Sequence, residues 1–359
     1  MPTPATRKPL DFFKLYDKFI LDSRKGKRLQ ANGKRISAGT TDNYFYTGLL
    51  LKRFCNEKQF ELRIQPARRL TIRQAESEKI YWKKFYKRFT DFLYDDCGYF
   101  DNYVGVTIKN IRTFFNYLNK ELSLGVGDFH KQFYVRKEEI AIFPLLPEEL
   151  SFLINDKHFE SRLKNRMREV KDFFVFGCTV ALRFSDLVKL EKSNIRMVNK
   201  QYYLSVRSIK TGTDTLVKLP PYAIDIINNY KKLKKRLLPK FNVVNLNKFI
   251  KLLLQQAGFT QPVNITRGKR GVPVELKNEK DSLTKQLRFC DIATTHTMRR
   301  TAITTMLSLG VPEQVVRKIS GHSAAGKEFY RYVSWAQTYQ DQEIGKMFDK
   351  LQQKKLELV

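Results

Sequence analysis

Apolar residues recur three and four positions apart along most of the chain, the period that lays one face of an α-helix on a core. The pattern opens in DFFKLYDKFILDS and predicts a helix over 10–22. A basic loop, RKGKRLQANGKR, follows, with Gly26 and Gly33 as breakers. Ser37 or Thr40 is placed to cap the next helix, over 39–56, and the same spacing returns over 76–95 and 104–121. Lys and Arg are interleaved with Phe and Tyr throughout these helices. The aromatics sit at core spacing and leave the basic residues on the outer face.

After Gly125 and Gly127 the pattern lapses, and FHKQFYVRKEEIAIFPL reads as extended. The expected division is a helical domain over 1–130, a linker over 131–145 and a second domain over 146–359. Pro147 opens a helix over 147–155, followed by helices over 159–180 and 184–191. A period of two then predicts strands over 202–208 and 214–219, joined at a KTGT turn. Helices return over 221–234 and 245–257. A Gly-, Lys- and Arg-rich hairpin-like insert fills 262–275, its basic tip suited to a phosphate backbone or to a neighbouring protomer. Helices over 294–309 and 312–320 and a terminal helix over 335–354 complete the chain. The fold class is mainly α with a small β-hairpin or sheet, α+β.

Charge narrows the function. The 359 residues carry 67 Lys plus Arg against 36 Asp plus Glu, a net charge of +31. An excess of that size repels itself unless a polyanion offsets it, which points to nucleic acid. A membrane surface fits less well, because the basic residues are spread along the whole chain. No stretch of about 18 apolar residues is present to cross a bilayer, and the N-terminus lacks an apolar leader core. None of Cys55, Cys97, Cys178 and Cys290 forms a CxxC pair, so a disulfide framework or zinc site is not expected.

Against that background one set of residues carries chemistry. His296 and Arg299 in THTMRRTAITTMLSLG lie three apart, on one face of the first turn of a helix. That turn offers unpaired backbone N–H groups and a positive dipole end to a phosphate, although such a pair also occurs on ordinary surface helices. In VPEQVVRKISGHS, Gly321 suits a helix C-terminus and His322 sits just beyond it. Tyr330 and Tyr332 follow in KEFYRYVSW. Upstream, Arg183 lies at a helix junction in ALRFSDLVKL, with Asp186 three residues on and placed to pair with a basic group or orient a histidine. Lys210 opens the KTGT turn of the strand pair.

These segments, in this order, resemble the tyrosine recombinase family of phage integrases, Xer-type recombinases and conjugative-transposon integrases. ALRFSDLVKL is similar to the family's first arginine box, SIKTGTDTLVKLP to its lysine hairpin, HTMRR to its His-x-x-Arg box and ISGHS to its Gly-His box. The N-terminal helical domain resembles the family's core-binding domain by composition only. The resemblance implies a C-shaped clamp around double-stranded DNA. A tyrosine would attack a phosphodiester to give a 3′-phosphotyrosyl link, with no metal, ATP or other cofactor. It implies that Arg183 and Arg299 hold the non-bridging oxygens, that His322 donates a further hydrogen bond, that Lys210 protonates the leaving 5′-oxygen and that His296 assists the nucleophile or orders the pocket. The family's usual nucleophile spacing falls on Arg331, between Tyr330 and Tyr332. The form of KEFYRYVS favours Tyr332, with Tyr330 as the alternative. Arg300 stands where many relatives have His, as a phosphate contact or a solvated side chain. The terminal helix would dock on a neighbouring protomer or pack on its own. The resemblance further implies a homotetramer on two DNA sites, accessory DNA-bending proteins and a cytoplasmic, nucleoid-associated location. A type IB topoisomerase, a telomere resolvase and a non-catalytic DNA-binding protein are the alternatives.

Overall fold

A computed structural model describes residues 10–66, 70–209, 212–278, 286–323 and 326–356. They form two compact units, one of the residues up to Ile140 together with Thr266–Glu275, the other of Ala141–Ile265 with the residues from Leu276 onward.

The first unit packs four long helices beside a short antiparallel strand pair, β1, Leu10–Asp11, and β2, Arg63–Ile64: α1, Phe12–Arg24; α2, Ala38–Lys58; α3, Ile72–Asp91; and α4, Asp101–Lys120. Their starts follow from local hydrogen bonds. The Asp11 carboxylate accepts from the Phe13 and Lys14 amides, Ser37 Oγ accepts from the Thr40 amide, and Thr71 and Gln74 form a capping box. Phe12, Tyr16, Phe19, Trp82, Phe85, Phe89, Phe114 and Phe115 fill the core. The tyrosine hydroxyls buried with them are satisfied; Tyr117, for example, donates to Asp22 Oδ2 at 2.7 Å. Val126, His130 and Phe133 are also buried in this unit. The segment expected as a linker from 131 therefore belongs to the first unit as far as Ile140.

Two cations of the basic insert, Arg267 and Arg270, are paired within the first unit. Thr266–Lys269 pairs with Val272–Glu275 across a turn in which Arg270 and Gly271 take positive φ of 58° and 84°. Arg270 donates to Asp91 Oδ1 at 2.9 Å and Asp95 Oδ2 at 2.6 Å. Arg267 is held by Glu138 through Nε and Nη2 at 3.0 and 2.8 Å, and the Gly271 amide donates to Asp101 at 2.8 Å. Carboxylates of the first unit thus take the hydrogen bonds that a phosphate or a neighbouring protomer was expected to take.

The second unit begins with α5, Pro147–Asn155. The helix expected over 159–180 is two helices, α6, Lys157–Arg162, and α7, Asn165–Val180, separated by extended backbone at Leu163 and Lys164. The helix expected over 184–191 is the single turn α8, Phe184–Leu187. A three-stranded antiparallel sheet follows in the order β3, Ile195–Val198; β4, Gln201–Arg207; and β5, Asp214–Lys218. Then come α9, Pro221–Asn229, and α10, Val243–Gln256. Pro262–Val263 pairs with Leu287–Arg288, which leads into α11, Phe289–Ile292. The last helices are α12, Thr295–Ser308; α13, Glu313–Ser320; and α14, Tyr330–Leu356.

The packing of α7 on α12 positions the site. Gly177 of α7 lies so close to α12 that a Cβ there would stand 2.5 Å from Met298 Sδ. The terminal helix starts at Tyr330, earlier than expected, so both candidate tyrosines lie in its first turn. It packs on its own unit at least through Gln340, whose side-chain amide donates to the carbonyls of Leu307 and Ser308 at 3.4 and 3.1 Å. Among the described residues no helix is long and apolar enough to cross a membrane.

Candidate active site

The first arginine is set by the end of α7. Ala181 caps that helix in the left-handed region, φ 56°, and the chain reverses so that Arg183 becomes the N-cap residue of α8. Holding a non-glycine residue there costs on the order of 1 kcal/mol. Arg183 Nη1 donates to Ser208 Oγ at 3.2 Å, and Ser208 Oγ donates to Asp186 Oδ2 at 3.2 Å. Asp186 also accepts from the Ile209 amide at 3.0 Å, which ties the turn after β4 to the arginine segment. Lys210, the next residue in sequence, lies outside the described residues.

The second arginine is on α12, where Thr294 caps the helix. His296 lies in its first turn, on the exposed side. Arg299, one turn further, is buried at 7% exposure. Its Nη1 donates to the Ala181 carbonyl at 2.8 Å, so the strained cap supplies one of its acceptors. Its Nη2 lies 3.4 and 3.3 Å from the two ring nitrogens of His322. Burial, reinforced by the charge of Arg183, pulls the Arg299 pKa down to about 10. Arg300 is partly buried, and burial lowers its pKa as well.

His322 is delivered by the end of α13. Gly321 takes φ 63° as the C-terminal cap, and the His322 amide donates back to the Arg317 carbonyl at 2.9 Å. Ser320 Oγ is 2.8 Å from His322 Nδ1. Burial, then the charges of Arg299, Arg183, Arg317 and Arg331, push the imidazole pKa down to about 3, so the ring is neutral at ordinary pH. Arg317 is itself buried. It donates to Glu313 Oε1 at 2.6 Å and to the carbonyls of Ser323 and Gly326 at 3.0 and 3.2 Å, which holds both ends of the loop after His322.

The two tyrosines part company here. Tyr332 is 4% exposed and packs in a small apolar cluster with Ala181, Ala302, Val316 and Phe329. Its ring centroid lies 5.9 Å from that of His322. Tyr330 is 60% exposed, its ring 5.4 Å from the Arg317 guanidinium. The structure thus gathers Arg183, Arg299, His322 and Tyr332, with His296 at the exposed start of α12. Among the described residues neither Arg183 nor Arg299 has a carboxylate within 4.0 Å. Two cations without a directly paired carboxylate, with Asp186 one hydroxyl away, beside a neutral imidazole and a phenol suit an anion with several oxygens. Ser208, Ser320, Arg317 and the Ala181 carbonyl went unnoticed in the sequence. Among the described residues no cluster of His, Cys, Asp and Glu could hold a metal ion.

Comparison with known proteins bears on family and fold. The phage integrase family model matches residues 159–337, the segment that contains every residue of the site. No curated protein matches the chain. Among solved structures it is similar to a lambda integrase (75-356) dimer bound to a COC' core site, at 12% identity and a TM-score of 0.58, covering 90% of this chain and 95% of that one. It is similar to XerH site-specific recombinase bound to difH substrate, at 11% identity and a TM-score of 0.57, covering 92% and 95%. It is also similar to the Tn1549 transposon integrase in complex with transposon right end DNA, at 14% identity and a TM-score of 0.56, covering 90% and 95%. These likenesses show the fold.

Proposed function

The chain carries a phage integrase family domain, and on that premise we propose that it is a tyrosine site-specific recombinase whose nucleophile is Tyr332. The observation that carries the assignment is the burial of Arg299 without a carboxylate, beside Arg183 and against the neutral ring next to Tyr332. A buried cation of that kind is costly unless an anion arrives to meet it.

The Tyr332 oxygen bonds to phosphorus as the P–O5′ bond breaks, leaving a 3′-phosphotyrosyl link and a 5′-hydroxyl. Lys210 supplies the proton to the departing 5′-oxygen, and His296 assists removal of the phenolic proton. Arg183 and Arg299 hold the non-bridging oxygens as the phosphorane gathers charge. Attack by the 5′-hydroxyl of a second strand reverses the step. Bond energy is kept in the ester, so neither ATP nor a metal enters the balance.

The basic faces of the first unit's helices would lie toward the backbone of double-stranded DNA. Four protomers would assemble on two DNA sites, with accessory DNA-bending proteins where the sites require them, in the cytoplasm and on the nucleoid. Docking of the terminal helix on a neighbour would involve the part beyond Gln340, where Ile344, Met347 and Phe348 are exposed.

A nicked suicide substrate tests this reading. In EDTA the protein is expected to form a DNA adduct that survives denaturation. Absence of adduct on the cognate site overturns the assignment, and relaxation of supercoils by the monomer would favour a topoisomerase instead.

A further inference from the structure

We propose that Arg317 is a positioning residue for strand cleavage: its guanidinium ties the exit from α13 to the start of α14, so that His322 and Tyr332 are held in one arrangement. The inference rests on the recombinase reading, with Tyr332 as nucleophile.

Arg317 lies within α13 and is 7% exposed. Charge balance accounts for one of its contacts: Nε donates to Glu313 Oε1, one turn back, at 2.6 Å. The other hydrogen bonds leave the helix. Nη1 donates to the Ser323 carbonyl at 3.0 Å and to the Gly326 carbonyl at 3.2 Å. These acceptors flank Ala324 and Ala325, which lie outside the described residues. The main chain of the same arginine works on the same segment, its carbonyl accepting from the His322 amide at 2.9 Å. Backbone and side chain of one residue thus hold His322, Ser323 and Gly326.

The tie continues to the tyrosine. The Gly326 carbonyl that Nη1 binds also accepts from the Phe329 amide at 3.3 Å. The Phe329 ring is fully buried, and its centroid lies 4.2 Å from the guanidinium carbon of Arg317. The same ring stands 5.1 Å from the His322 ring and 5.7 Å from the Tyr332 ring. Phe329 is therefore a neighbour that the histidine and the tyrosine share, and Arg317 fixes it through its backbone and its face. A planar fork sets the relative placement of the carboxylate, the carbonyls and the ring that it touches, which a point charge on a flexible stem does less well. Placement matters here because the phenol oxygen must meet phosphorus in line, and a displacement of about 1 Å costs about 10²-fold in rate. Arg317 acts through Phe329 and the two carbonyls, so its loss should change the rate of the step and not the hold on DNA.

Arg317→Met keeps an unbranched stem and removes the fork. Single-turnover reactions at saturating nicked substrate should give an adduct rate constant about 10²-fold below wild type, with the plateau and the DNA affinity unchanged. A purely structural role predicts a lowered plateau at the wild-type rate constant, and a phosphate contact predicts weaker binding; either outcome overturns the proposal. Phe329→Leu should also slow the reaction, and the double variant should be no slower than Arg317→Met alone, because both act through one contact. Additive losses overturn the proposal. Hydrogen exchange of the full-length DNA-free protein gives a readout independent of the chemistry. Peptides over 326–332 should exchange about tenfold faster in Arg317→Met, the loss of one hydrogen bond from a charged donor, while those over α7 exchange as in wild type. Unchanged exchange over 326–332 overturns the proposal. The two readings fail separately. Faster exchange in the variant with no adduct from the wild type sinks the recombinase reading, whereas wild-type adduct formation with a variant that reacts normally sinks this inference alone.

Discussion

Arg28 in the first unit and Arg299 in the second are equally buried, each 7% exposed, and they are held in opposite ways. Arg28 meets Glu121 through Nε at 2.9 and 3.2 Å, donates to Ser23 Oγ at 2.9 Å and lies over the rings of Phe19 and Tyr117. Its charge is balanced within the chain. Arg299 has a backbone carbonyl and a neutral imidazole as its partners, with Arg183 close enough to lower its pKa. The same side chain at the same depth has a direct ion pair in one place and none in the other. Burial alone does not mark a functional cation; burial without a direct ion pair singles out a candidate.

That contrast can be broken by exchanging the consequences. Arg299→Gln should lower the rate of adduct formation by about 10³, the loss expected when a principal donor to a developing oxyanion is removed. Its thermal stability should hold or rise, because a buried charge without a direct ion pair is gone. Arg28→Met should do the reverse, leaving the single-turnover rate unchanged while costing about 2 kcal/mol of stability through lost hydrogen bonds and ring contacts. Urea melts and single-turnover assays on both variants check the pair. A stability loss at Arg299 matching that at Arg28, with the rate preserved, would erase the distinction.

Acid sharpens the comparison between units. Burial is the first cause in both histidines, and it pushes His130 in the first unit from 6.5 down to about 4 and His322 in the second to about 3. The unfolded chain takes up these protons first, so stability should be flat above pH 6.5 and fall as pH drops from there toward the folded values. His130→Gln and His322→Gln should each flatten part of that slope in urea midpoints measured from pH 7 to 4.5. Unchanged slopes would mean that neither ring is held neutral. The smallest effect is expected at the hairpin turn. Arg270→Ala should cost under about 1 kcal/mol, because its ion pairs with Asp91 and Asp95 are half-exposed.

Much of this was legible in the sequence. The long helices were visible because they bury one face, and a single face imposes the spacing of three and four. The break at Leu163–Lys164 and the single turn of α8 were not, since apolar residues continue across both. Strand β3 was missed because three of its four residues are exposed and carry no alternation. In the site, Arg183, Arg299 and His322 stood out by residue type and setting. Ser208, Ser320 and the Ala181 carbonyl did not, because hydroxyl and backbone partners leave no compositional trace. The basic hairpin misled for a related reason. Lys and Arg look alike whether they face phosphate or carboxylate, and Asp91, Asp95, Asp101 and Glu138 are remote from it in the chain. Tyrosine spacing could not choose between Tyr330 and Tyr332. Their difference in burial supports Tyr332.

The most direct test of the account is to trap the adduct on a nicked substrate, digest both components and locate the nucleotide-bearing peptide by mass spectrometry. The account predicts the phosphodiester on the Tyr332 oxygen, with Tyr332→Phe giving no adduct and Tyr330→Phe giving it at the wild-type rate. A nucleotide found on Tyr330, or an adduct formed by the Tyr332→Phe protein, would contradict it.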